Sequence, residues 1–273
     1  MSAKEFKATQ CCPDETLRRG RNPGARRCRR SLALGGLFQI FLLCSLLPIV
    51  FPEQVQAQGV YKPAYGEWEF SVFAGGSFIG SDVHETPVEE STHSSSRDVG
   101  LSYGSGGRFG IRVTNNRWQH WGTSFEYTFS NQPITFTNLS DSMPSLGLGH
   151  AIHRFAYDVV YYPRDRYEKL RPFVFGGPGV SLFDIKSSGT EAGGIRFSDP
   201  WKFTVNWGGG VKYAFSEQVA ALFQFSDNIS GVPGYGLPET GRVVSGEYVP
   251  GFRPDGLLNN WAVEVGFSFH WDH

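Results

Sequence analysis

Residues 260–271 read N-W-A-V-E-V-G-F-S-F-H-W. Trp261, Val263, Val265, Phe267, Phe269 and Trp271 alternate with Ala262, Glu264, Gly266, Ser268 and His270. An unbroken period of two defines a β-strand with one apolar face and one small or polar face. The apolar face is aromatic at both ends and aliphatic between, the profile of a surface that crosses lipid with aromatics at the interfaces. Such a strand needs partners on both sides, because an open edge in hydrocarbon leaves backbone donors and acceptors unsatisfied. The chain is therefore expected to supply more strands of the same kind, and one that closes on this one.

Seven earlier stretches repeat the pattern. In 67–80, Trp68, Phe70, Val72 and Ala74 oppose Glu67, Glu69 and Ser71. In 106–115, Phe109, Ile111 and Val113 oppose Arg108 and Arg112. In 119–131, Trp121, Phe125, Tyr127 and Phe129 oppose Ser124, Glu126 and Thr128. In 150–163, Phe155, Tyr157, Val159 and Tyr161 oppose Arg154 and Asp158. The stretch 170–184 is irregular and contains Gly176-Gly177-Pro178-Gly179. A proline removes a ladder donor, so an edge, a bulge or a break is expected there, and the glycine cluster suits a bulge where the wall bends. In 201–215, Phe203, Val205, Trp207, Val211, Tyr213 and Phe215 oppose Lys202, Thr204, Asn206 and Lys212. In 217–227, Val219, Ala221, Phe223 and Phe225 oppose Gln224 and Ser226.

The connections alternate: long at 81–105, 132–149, 185–200 and 228–259, short at 116–118, 164–169 and 216. Long loops on one side and tight turns on the other are the signature of a membrane barrel, and an even strand count brings both termini to the turn side. Strand 67–80 is then the partner that 260–271 needs. The fold class expected is all-β: an eight-stranded antiparallel transmembrane β-barrel, an up-and-down meander preceded by a signal peptide. A soluble sandwich or lipocalin-like barrel would turn the apolar face inward. Eight strands enclose a lumen only wide enough for side chains, which the chain's many aromatic and branched residues would overfill.

The 273 residues carry a formal charge of −1, which excludes a strongly basic nucleic-acid binder. Cys11, Cys12, Cys28 and Cys44 are the only cysteines, so positions 45–273 are free of thiols, as suits passage through an oxidising compartment. The N-terminus reads as an address. An arginine-rich polar leader, an apolar run at 32–51 and a small-x-small site at Val55 and Ala57 make a secretory signal peptide over 1–57. The other reading, a retained membrane helix, is interrupted by Gln39, Pro48 and Pro52. A short periplasmic segment, 58–66, leads to the barrel at 67–273, and the destination is the bacterial outer membrane.

The stretches 171–182 (R-P-F-V-F-G-G-P-G-V-S-L), 207–227 (W-G-G-G-V-K-Y-A-F-S-E-Q-V-A-A-L-F-Q-F-S-D) and the closing strand resemble the bacterial outer-membrane β-barrel family of the OmpA/OmpX type. The resemblance covers most of 59–273 and implies an eight-stranded barrel that the outer-membrane assembly machinery reads through its C-terminal strand. Two features depart from it: Pro178 stands where the family has Ala or Gly, and Asp272-His273 follow the closing aromatic.

The inward set pairs Arg108, Arg112, Arg154, Lys202 and Lys212 with Glu67, Glu69, Glu126, Asp158 and Glu264. Charges persist in a narrow lumen when paired and hydrogen-bonded, so a salt-bridged plug is expected rather than an open pore. The alternatives are a small-solute pathway through the same residues and a lipid A-modifying enzyme on the wall. An enzyme would need a nucleophile held by a base. His93-Ser94-Ser95 lies in a loop, and His150 and His153 fall on opposite strand faces. No catalytic residues, metal site or cofactor are therefore expected. Trp68, Trp121, Tyr161, Trp207, Trp261 and Trp271 are the candidate membrane-interface aromatics. Outer-membrane lipid and lipopolysaccharide are the expected surroundings, and loops 81–105 and 228–259 are where a surface ligand would make contact.

Overall fold

The computed structural model describes residues 65–80, 83–84, 99–139, 144–186, 191–192, 195–244 and 247–271. The signal peptide read at 1–57, most of 58–66 and His93-Ser94-Ser95 lie outside the described residues. Eight long strands form a closed barrel. They are β1 Trp68–Ile79, β2 Gly106–Asn115, β3 Trp121–Asn131, β4 His150–Tyr161, β5 Leu170–Ile185, β6 Trp201–Ala214, β7 Val219–Gly231 and β8 Leu257–Trp271. Each pairs antiparallel with its neighbours in sequence, and β1 closes on β8 in an unbroken register from Trp68↔Trp271 to Ile79↔Asn260. The strand read first is the seam.

Alternation alone leaves open which face points outward; exposure decides it. On the outside, Phe125, Phe223, Val265 and Phe267 are each at least half exposed, while inward-facing Glu126 and Glu264 are at most 1% exposed. Apolar outside and charged inside inverts the soluble barrel, and a continuous exposed belt of this size is a surface built for lipid. This is a transmembrane β-barrel.

The bulge expected at Pro178 is absent. β5 runs through it, and its register with β4 is the same before and after, from His153↔Leu182 to Tyr161↔Val174. Only the pairing of Tyr157 and Asp158 with Gly177 and Pro178 drops out. Proline costs a ladder donor without inserting a residue, so the ladder opens locally and the strand keeps its phase. Gly177 makes this possible, since a side chain there would overlap the backbone carbonyl of Tyr157.

The long-loop end carries a second core. Short strands Val83–His84, Gly100–Tyr103, Ile134–Thr137 and Ser145–Leu148 form a four-stranded sheet above the barrel. Leu101, Ile134, Phe136, Leu148, Phe183, Phe197, Tyr235 and Phe252 bury together there. These strands lie in the long connections at 81–105 and 132–149. They fold into a cap because their own apolar residues alternate in the same period of two.

Candidate functional site

Glu126 of β3 is the centre of the lumen. Arg112 lies directly opposite it on β2 and donates Nε (2.9 Å) and Nη2 to Oε2. Arg154 of β4 donates Nη2 to Oε1 at 2.9 Å, and Arg108 Nη2 stands 3.5 Å from the same oxygen. Arg108 Nε also lies 3.0 Å from Glu264 Oε1, on the far side of β1. The register explains that reach: Gly75 of β1 pairs with Arg108 on one side and Glu264 on the other, so no side chain stands between them. Gln224 donates to Glu264 at 2.9 Å, and Asn206 donates to both oxygens of Asp158 at 3.1 and 3.0 Å. Three arginines thus contact Glu126 and Glu264, while Asp158 beside them is held by Asn206.

A second group lies toward the short-turn end. Lys212 Nζ sits 2.6 Å from Glu69 Oε1 and 3.0 Å from Tyr162 Oη. Ser71 donates to Glu69 at 2.8 Å, and His270 Nδ1 stands 3.8 Å from it. The residues of both groups are at most 4% exposed. Glu67 and Lys202, assigned to this set by parity, are only half-buried and sit toward opposite ends of the barrel, Glu67 two residues before Glu69 and Lys202 in the register row of Ser181 and Arg154.

The lumen also holds aromatics that alternation assigned to no inward role. Arg112 lies over the rings of Phe175 (4.5 Å) and Phe73 (5.3 Å), and Lys212 over Phe173 (5.0 Å) and Tyr162 (5.1 Å). Cations desolvated among carboxylates gain further from ring faces. Gly110 makes the space, since a Cβ there would overlap the Phe73 ring. Phe73 was legible in principle, sharing the parity of Glu69 and Ser71. His270, on the polar face of the closing strand, and Arg171 join the lumen without having been counted among its charges. Arg171 is fully buried, stacks 3.6 Å from Tyr162 and donates to the Gln119 carbonyl at 2.9 Å.

Both ends of the lumen are filled. At the short-turn end, Tyr65 is fully buried, donates its hydroxyl to the Lys169 carbonyl at 2.7 Å and sets its ring edge-on to His270. Burial, reinforced by Glu69, pushes that hydroxyl above the ordinary phenol range. Above the charge group lies a cavity of about 10 Å³ lined by Arg108, Thr128, Ser130, Arg154 and Asn228, space for about one water. Over it sits the cap. Tyr235 holds a left-handed backbone (φ 51°), and its hydroxyl lies 3.2 Å from both Tyr103 Oη and His150 Nε2. Burial raises the Tyr103 and Tyr235 hydroxyls above the ordinary phenol value.

On the outer wall, Trp68 faces Trp271 across the seam, and Trp121 faces Tyr161 with ring centres 4.8 Å apart, all at the short-turn end. Trp207 and Trp261 lie 6.4 Å apart, nearer the long loops, and each packs on Phe225. Between them Asp227, outward by parity, is 2% exposed. Among the described residues no three His, Cys, Asp or Glu side chains converge on a metal position.

No protein-family model matches the chain, and no curated protein sequence matches it. Among solved structures it is similar to the outer membrane protein OprG from Pseudomonas aeruginosa, with 12% identity, 78% of this chain and 100% of that one covered, and a TM-score of 0.49. Neisserial surface protein A matches at 11% identity, with 76% and 98% covered and a TM-score of 0.46. The N-terminal β-barrel domain of OprF from Pseudomonas aeruginosa matches at 14%, with 75% and 98% covered and a TM-score of 0.38. The barrel itself rests on the strand register, not on these likenesses.

Proposed function

We propose that this chain is a non-conducting barrel of the bacterial outer membrane, a scaffold that holds a folded cap at the surface and carries out no catalysis. The observation that supports it best is the filled lumen: Glu126 binds three arginines at mid-height, Tyr65 occupies one mouth, and the cap core covers the other. A conducting path would have to separate buried ion pairs, and removing one partner of such a pair costs about 3–5 kcal/mol. Trp68, Trp121, Tyr161 and Trp271 form one interfacial girdle, and Trp207 and Trp261 belong to the other. Lipid and lipopolysaccharide surround the wall, the C-terminal strand is the handle for the assembly machinery, and a surface ligand meets the cap through loops 81–105 and 228–259.

Recording from the purified protein in planar bilayers tests the sealed lumen. The expected trace is free of steady openings; large, stable single-channel steps would overturn the reading in favour of a solute pore.

A further inference from the structure

A wall that faces lipid should carry few polar atoms, because hydrocarbon offers them no partner. Tyr127 of β3 and His153 of β4 break that rule. Both point outward, and Tyr127 Oη lies 2.9 Å from His153 Nδ1. The bond between them uses one of two donors. If the tyrosine donates, the imidazole keeps an N–H; if the imidazole donates, the tyrosine keeps its O–H. Either way the pair has a hydrogen left to give, and burying it unmet is costly.

The pair sits in a groove of about 590 Å³ whose floor is Ile111, Phe125, Phe155, Leu182 and Trp201. Beyond this lining on the long-loop side, just after β5, stands exposed Lys186. Its Nζ donates to Asn131 Oδ1 at 3.2 Å and lies 5.9 Å from the ring of Phe129, which in turn packs on His153 at 5.1 Å. The lysine stem passes over Gly149, just before β4, whose backbone carbonyl accepts from the Lys186 N–H at 2.8 Å. Asp184 shares the outward parity of Lys186 on the same strand end and offsets part of its charge.

A cation on the long-loop side, a hydrogen donor below it and an apolar floor beneath follow the layout of one amphiphile. We propose that this groove binds a single membrane lipid with a phosphorylated headgroup. Its phosphate lies at Lys186, the carbonyl of its ester or amide linkage accepts the spare hydrogen of Tyr127–His153, and one acyl chain covers the floor. The assignment rests on the lipid-facing wall argued above.

The test compares dioleoylphosphatidylglycerol with dioleoylglycerol, identical in chains but lacking phosphate, by native mass spectrometry of the full barrel released from neutral detergent micelles. One phosphatidylglycerol per chain is expected, retained about tenfold better than dioleoylglycerol, as a charge-assisted contact provides. K186Q should abolish the preference, and Asp184→Asn should strengthen it. Brominated phosphatidylglycerol should quench emission in the native protein more than in Trp201→Phe. Equal retention of the two lipids, an unchanged preference in K186Q, or displacement by millimolar inorganic phosphate alone would overturn the site. Each variant is first checked for faster migration unboiled than boiled, so loss of the barrel is read separately from loss of the lipid.

Discussion

Replacing Glu126 by Gln keeps the side-chain volume and one accepting oxygen, removes the charge, and turns the other oxygen into an amide donor that faces an arginine N–H. Glu126 meets Arg112 through Nε at 2.9 Å and through Nη2, Arg154 at 2.9 Å and Arg108 at 3.5 Å, and all four side chains are at most 3% exposed. In the variant three buried cations face two carboxylates, Asp158 and Glu264, in a lumen whose adjoining cavity has space for about one water. Removing one partner of a buried pair costs about 3–5 kcal/mol, and the loss here falls in that range since Arg112 and Arg154 both lose their nearest anion. The assay is urea unfolding of the bilayer-reconstituted barrel, followed by tryptophan emission, with the midpoint and slope compared to the native chain. The double variant Arg112→Met with Glu126→Leu leaves Arg108 and Arg154 facing Asp158 and Glu264, restores balance, and should recover part of the loss. A Glu126→Gln protein within about 1 kcal/mol of the native chain would refute the view that this cluster holds the lumen together.

Two further predictions concern the cap. Phe252 is 1% exposed in the cap core, so Phe252→Ala should cost about 3–5 kcal/mol of local stability, read as faster hydrogen exchange in 100–103 and 134–137 with β2 and β3 unchanged. Tyr103 and Tyr235 are buried as neutral phenols with raised values. Their contribution is fully present below the unfolded phenol value of about 10 and is lost as pH rises through the folded values, so the same cap amides should lose protection in alkali while Tyr235→Phe shifts that transition.

The barrel was legible because a membrane wall writes its two faces into every strand. The alternation in 260–271 sets which residues meet lipid, and the even count sets which strand it must pair with; the observed seam, Trp68↔Trp271, is that pairing. Pro178 misled because a proline in a ladder predicts a bulge on average, whereas here Gly177 lets β4 and β5 stay in phase. The polar partners within the lumen were harder. Parity assigns a residue to the inside but not a depth, so it does not separate half-buried Glu67 and Lys202, toward the two ends, from the fully buried charges between them. It also cannot say that Gly75 opens a path between Arg108 and Glu264, because that depends on three strands at once. The cap was hidden by strand length. Its pieces, such as Leu101 with Tyr103 and Ile134 with Phe136, alternate for only four residues each and read as loop until they pair. One consequence is practical: removing 232–256 would strip Tyr235, Val249 and Phe252 from the cap core, so exposed positions such as Val243 are the better probes of surface binding.

The central claim is that eight strands close into a barrel within the outer membrane, and heat-modifiable migration tests it most directly. An outer-membrane fraction run unboiled should give a compact, faster band that shifts to the mobility of the unfolded chain after boiling, since a closed ladder resists detergent until heated. A band of identical mobility in both lanes, or a protein recovered in the soluble fraction, would contradict the account.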